Sequence, residues 1–206
     1  MRSFLVALTC SLLLLTTAPD RATAAESKVD AEGFIIDWLM IGPISVPEDG
    51  GAEAIDVKQI AEEAALAPKA GDKQKIAGKE LVWKAVKATD MNYYVDLNAT
   101  LGGKFDDSLA YLVTYVFADA EMKDITANMS SNDQGKVYLN GKEIITFTGV
   151  RPIDKEGDKK EGVTLNKGKN VIVFKIINEK SDWAAALRFT SKDGKPITTL
   201  TTKIEP

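Results

Sequence analysis

From residue 80 onward, apolar and polar positions alternate with a period of two, which is the signature of half-buried β-strands. Leu81, Trp83 and Ala85 alternate with Val82, Lys84 and Val86, and Tyr93, Val95 and Leu97 alternate again before Gly102 and Gly103. Residues 109–118 are almost continuously apolar or aromatic, as expected of a strand covered on both faces. Ile125, Ala127 and Met129 resume the alternation. Residues 136–147 then read as a hairpin turning at Asn140 and Gly141, the favoured pair where both central residues need positive φ. A further strand pair is expected to join at Lys167 and Gly168, and a last one to turn at Asp193 and Gly194.

Upstream the pattern is different. Residues 34–41 read as a strand closed by Gly42 and Pro43. After it, Val57, Ile60, Ala61 and Ala64 mark one face of a helix that Asp56 would cap, with Gln59 completing a capping box and Pro68 stopping it. Residues 69–79 are polar, contain two glycines and read as an exposed connector. Many short strands with glycine turns and a single helix predict an all-β fold, a jelly-roll β-sandwich with one short inserted helix.

The first two dozen residues follow another rule. Arg2 precedes a short apolar stretch, and Ala22, Thr23 and Ala24 match a small-x-small cleavage site, so residues 1–24 read as a secretory signal peptide and 25–206 as one mature domain. The apolar stretch falls short of the ~20 residues of a membrane span, and no later segment reaches that length. This predicts a secreted or periplasmic protein. Cys10, the single cysteine, lies inside the signal, so the mature domain has neither disulfide nor thiolate metal site.

Charge and composition narrow the chemistry. The chain has a formal charge of -4 with lysines interleaved among the acids, which offers no field for nucleic acid. It contains no histidine, removing the commonest general base and the usual partner of a serine nucleophile. Glycosidase chemistry would need two carboxyls about 5–9.5 Å apart, one in a protected site. The adjacent pairs Glu62 and Glu63, and Asp106 and Asp107, diverge in direction and carry no sign of burial. A non-enzymatic role follows.

Three stretches carry a resemblance. Trp38, Gly42 and Pro43 resemble the opening "W-x-x-x-G-P" strand of galactose-binding-like jelly-roll domains. Ser131 to Gly141 is similar to their "S-D-D-G-x-x-V-W-L-N-G" hairpin, with Gln134 interrupting the acidic pair before Gly135 and Tyr138 in place of tryptophan. Val163, Leu165, Gly168, Asn170 and Lys175 resemble "V-x-L-x-x-G-x-N-x-L-x-V-K". Such domains occur in secreted bacterial proteins of planctomycete type, often beside glycoside hydrolases or esterases. The resemblance implies a non-catalytic carbohydrate-binding or cell-surface glycan-associated module whose ligand loops cluster at one end of the sandwich. The alternative is an extracytoplasmic structural or protein-interaction domain.

The candidate ligand residues are Trp183, Asn132, Asp133, Gln134 and Arg151. Trp183, on an apparent loop, is either a stacking platform for a sugar ring or a core plug. Asn132, Asp133 and Gln134 either hydrogen-bond sugar hydroxyls or simply make a turn. Arg151 is either a donor to ligand or a solvated charge. Trp38 and Trp83, inside alternating strands, read as core. No cofactor is expected. Asp154, Glu156 and Asp158 begin like an EF-hand loop, but Leu165 stands where the bidentate glutamate belongs, and a structural calcium elsewhere is left open.

Overall fold

The computed structural model describes residues 26–88 and 93–206. The signal-peptide reading of residues 1–24 lies outside them. The strands are, in chain order, β1 (Ser27–Lys28), β2 (Asp37–Ser45), β3 (Lys73–Ile76), β4 (Lys79–Val82), β5 (Lys84–Lys87), β6 (Val95–Asp96), β7 (Ser108–Ala118), β8 (Met122–Asn132), β9 (Gly135–Leu139), β10 (Lys142–Phe147), β11 (Asp158–Leu165), β12 (Gly168–Asn178), β13 (Ala184–Thr190) and β14 (Thr201–Lys203). Among the described residues there are also two short helices, α1 (Gly51–Ala54) and α2 (Leu97–Leu101), and a 3-10 turn at Glu63–Ala65.

Two antiparallel sheets stack. The larger runs β1-β14-β7-β12-β9-β10, with β2 and then β5 added beside β7, and the smaller runs β11-β8-β13-β6. The fold is therefore an all-β sandwich, as the alternation predicts. Strand β7 is its spine. One edge pairs with β12 along its whole length, from Ser108 opposite Asn178 to Ala118 opposite Gly168. The other edge is shared end to end by β2 and β14.

The large sheet is buried on both faces, which explains the unbroken apolar run of β7. Its inner face packs Trp38, Ala110, Leu112 and Phe174 against Ala127, Met129, Leu187 and Phe189 of the small sheet. Its outer face carries Leu39, Tyr111, Val113 and Tyr115, covered by Ile55, Ile60, Ile76 and Trp83 from residues 46–83. That strap forms a second core.

The strap is where the sequence pattern misleads. No helix runs from Asp56 to Pro68. The Val57 carbonyl, which such a helix would use internally, accepts from Lys175 Nζ at 2.7 Å, and the Gln59 N–H bonds Tyr111 Oη. Glu62 takes positive φ and turns Glu63 inward, while Val57 is left exposed. Backbone groups that would close helical turns are spent on the sheet instead. Residues 69–79 are also more than a connector, since β3 and β4 pair as a hairpin.

Three other expectations change, and one is the strand pair turning at Asp193 and Gly194, because β13 joins the small sheet while β14 pairs β7 and β1 in the large one. Lys167 and Gly168 do not join a hairpin, because β11 pairs β8 in the small sheet while β12 pairs β7 and β9 in the large one. Leu97 leaves the extended path to begin α2, because the Asp96 carboxylate accepts the Ala99 N–H at 2.9 Å and Gly102 closes the helix at φ 76°. The Asn140 and Gly141 turn is as predicted, with φ of 51° and 81°.

Candidate functional site

The register of the small sheet sets out one end of the sandwich. Asn132 on β8 lies opposite Ala184 on β13, which lies opposite Asp96 on β6. The three are neighbours in one row across the sheet, and α2 follows directly from Asp96. Helix α2 is pinned to the loop before β13: Asn98 Nδ2 donates to Ser181 O at 2.7 Å, and Leu97 N–H to Trp183 O at 2.9 Å. Around this row opens a cavity of about 370 Å³. Tyr94, Asp96 and Asn98 line it from β6, α2 and the residue before them, Asn132, Asp182 and Trp183 from β8 and the loop before β13, and Lys104, Pro152 and Ile153 from other loops.

The cavity is polar with one aromatic wall. Tyr94 is half-buried and braced edge-on by Tyr93, their ring centroids 5.3 Å apart. Asn98 Oδ1 is buried without a hydrogen-bond partner. Lys104 enters no ion pair among the described residues. Donors, acceptors and a half-buried aromatic ring therefore line one cavity.

Trp183 and the 132–134 turn share this end, but not as exposed contacts. The Trp183 ring belongs to the core between the sheets and is 1% exposed. It is a core plug, and Tyr94 is the aromatic surface that the cavity presents instead. Asp133 is buried, and its carboxylate accepts from the Glu179 N–H at 2.9 Å and the Arg151 N–H at 3.2 Å. Gln134 is fully buried and donates to Glu179 Oε1 at 2.6 Å. The Asn132 amide NH₂, turned to satisfy both its ends, donates to Asp182 O at 2.6 Å and Asp133 Oδ1 at 3.3 Å. These side chains hold the turn, and only Asn132 touches the cavity.

Arg151 is likewise a brace. Its Nε donates to Ser131 O at 3.0 Å, its guanidinium pairs with Asp158 at 2.6 Å, and it stacks 3.7 Å over the Phe147 ring. The acidic stretch that begins like a calcium loop is committed too: Glu156 pairs with Lys159 and Arg188, and Asp158 with Arg151. Among the described residues no three acidic side chains gather as metal ligands.

A second polar cluster was invisible to sequence reasoning. Glu63 and Lys175 are both buried and pair at 3.2 Å under the strap. Tyr111 Oη donates to Glu63 Oε2 at 2.5 Å and Tyr138 Oη to Oε1 at 2.9 Å. Burial pushes the Lys175 ammonium down, with Glu63 pulling the other way. Burial, then the bond to Glu63, pushes both phenols well above their ordinary value. On the rim, burial works against the Lys136 ammonium, but Asp56 and Glu143 more than offset it and raise its pKa. Glu63, for which the sequence carries no sign of burial, is buried against a lysine that β12 presents to the strap. The cluster fastens the strap to the outer face of the large sheet.

No family model matches the chain, and no curated protein matches it in sequence. Among solved structures, the PA14 domain of the antifreeze protein MpAFP is similar at 12% identity and a TM-score of 0.41, over 91% of this chain and 96% of that one. The PA14 sugar-binding domain of an RTX adhesin gives 10% and 0.37, over 84% of this chain and 100% of that one. A β-glucuronidase from an uncultured Clostridium sp. gives 11% and 0.39, over 86% of this chain and 31% of that one. All three are distant in sequence and in geometry, and what the cavity can bind is read from its own side chains.

Proposed function

We propose that this domain is a non-catalytic carbohydrate-binding module of an exported protein, and that the cavity beside Tyr94 holds one sugar unit of a glycan. The observation that supports it most is the set of groups left over after the fold has satisfied itself. Asn98 Oδ1, the Asp182 carboxylate and Lys104 offer acceptors and a donor beside the Tyr94 ring. A sugar hydroxyl donates and accepts at once, and the apolar C–H face of a pyranose covers an aromatic ring. Export rests on the residues 1–24 pattern. No helix among the described residues is long and apolar enough to cross a membrane.

The test is a glycan array on residues 25–206, followed by isothermal titration of the best ligand against Tyr94→Ala and Lys104→Ala. Tyr94→Ala is expected to weaken binding roughly tenfold or more, with the thermal midpoint little changed. A domain that ignores a broad panel, or binds equally well without Tyr94, would overturn this reading in favour of a protein-interaction domain.

A further inference from the structure

We propose that the open edge of the sandwich between β10 and β11 is a docking groove for an extended, acidic polypeptide segment. Strand β10 ends the large sheet and β11 ends the small one. Residues of both strands line a groove of about 420 Å³. Among the described residues β10 pairs only with β9 and β11 only with β8, so neither has a second strand hydrogen-bonded along its outer edge.

Both strands are bulged where they face the groove. The register of β10 slips between Glu143 and Ile145, and that of β11 between Lys160 and Val163. Ile144 of the first bulge and Gly162 of the second line the groove, whereas Glu161, also in the second, does not. Bulges twist an edge away from regular pairing, and β10 and β11 lie near each other without joining into one sheet. Its floor is apolar, from Leu139, Ile144 and Val163, and its rims carry Lys142 and Lys160.

Charge and shape select the occupant. Glu143 is committed to Lys136, whereas neither Lys142 nor Lys160 has an ion-pair partner among the described residues. The groove lining thus carries two lysines free of ion pairs in a chain of net charge -4. A second copy of this chain would set its own lysines against these across the paired edge, so self-association is disfavoured. No aromatic ring lines the groove, so it lacks the platform a sugar stacks on. An extended peptide supplies what remains: backbone groups for a free edge, alternate apolar side chains for the floor and alternate carboxylates for the lysines.

The experiment is a titration of the ¹⁵N-labelled mature domain with an octapeptide alternating Val and Glu, read by amide chemical shifts. Shifts confined to β10 and β11, weakening as salt is raised, are expected. A Val–Lys octapeptide should leave the same amides unmoved. Lys142→Glu/Lys160→Glu should weaken the Val–Glu complex about tenfold or more, and the milder Lys142→Ala/Lys160→Ala double variant guards against misfolding. No shift with the Val–Glu peptide, or equal affinity in both double variants, overturns the proposal. So does an oligogalacturonate that moves these amides when the peptide does not, which would give the groove to an acidic glycan.

Discussion

Lys175→Met isolates what the buried ion pair contributes. Methionine fills much of the volume of the lysine stem, so the main change is the loss of the ammonium. Glu63 is then left charged beneath the strap with only two tyrosine hydroxyls, and the Val57 carbonyl loses its donor. Removing one partner of a buried pair costs about 3–5 kcal/mol, because the uncompensated charge stays buried. In a domain of this size that lowers the melting temperature by on the order of 10 °C. Glu63→Gln alone should cost a similar amount, leaving the lysine unpaired. Lys175→Met/Glu63→Gln removes both charges while the glutamine oxygen still accepts a tyrosine hydroxyl. It should cost only about 1–3 kcal/mol, mostly from lost hydrogen bonds. Urea unfolding followed by tryptophan fluorescence reads all three variants, since Trp83 lies in the strap core and Trp38 and Trp183 between the sheets. A Lys175→Met cost below about 1 kcal/mol, or a double variant matching the sum of the singles, would refute the reasoning.

Three further outcomes follow from the packing. Gly157→Ala should destabilise by about 2–4 kcal/mol, because the added Cβ overlaps the Met129 carbonyl oxygen at positive φ. Gly141→Ala, with open space around it, should cost only about 1 kcal/mol, and equal denaturant midpoints for the two would contradict this. Trp183→Ala should cost about 3–5 kcal/mol, seen as a sharply lowered thermal midpoint, since the ring is a core plug. Phenolate absorbance against pH should show Tyr111, Tyr115 and Tyr138 ionising only as the protein unfolds. Their folded pKa values are raised, so this stability is present below pH 10 and is lost as pH rises beyond it; reversible native titration of all five tyrosines would count against it.

What could be read in the sequence was whatever local chemistry decides. The doubly buried β7, the 136–147 hairpin and the core roles of Trp38 and Trp83 follow from alternation and turn residues alone. The strap could not be read this way. Val57, Ile60 and Ala64 have helical spacing, but Lys175, more than a hundred positions away, captures the Val57 carbonyl and the Glu63 carboxylate, and that tertiary demand outweighs a weak local propensity. Helix α2 did leave a signal: Asp96 as N-cap and Gly102 as left-handed closure, which the alternation of Tyr93, Val95 and Leu97 masks. At the proposed site, the residues singled out by the resemblance lie at the same end of the sandwich as the cavity, but most of them are buried within the fold. Trp183 and Asp133 are structural, and Tyr94, Asn98 and Lys104 become visible only when α2 folds back against the loop before β13.

The most direct measurement of the glycan-binding account is a crystal structure of the mature domain soaked with the oligosaccharide that binds best on the array. The account predicts a pyranose ring lying against Tyr94, with a hydroxyl within hydrogen-bond reach of Asn98 Oδ1 and another near Lys104. An empty cavity with sugar elsewhere on the surface, or no bound sugar at all, would contradict it.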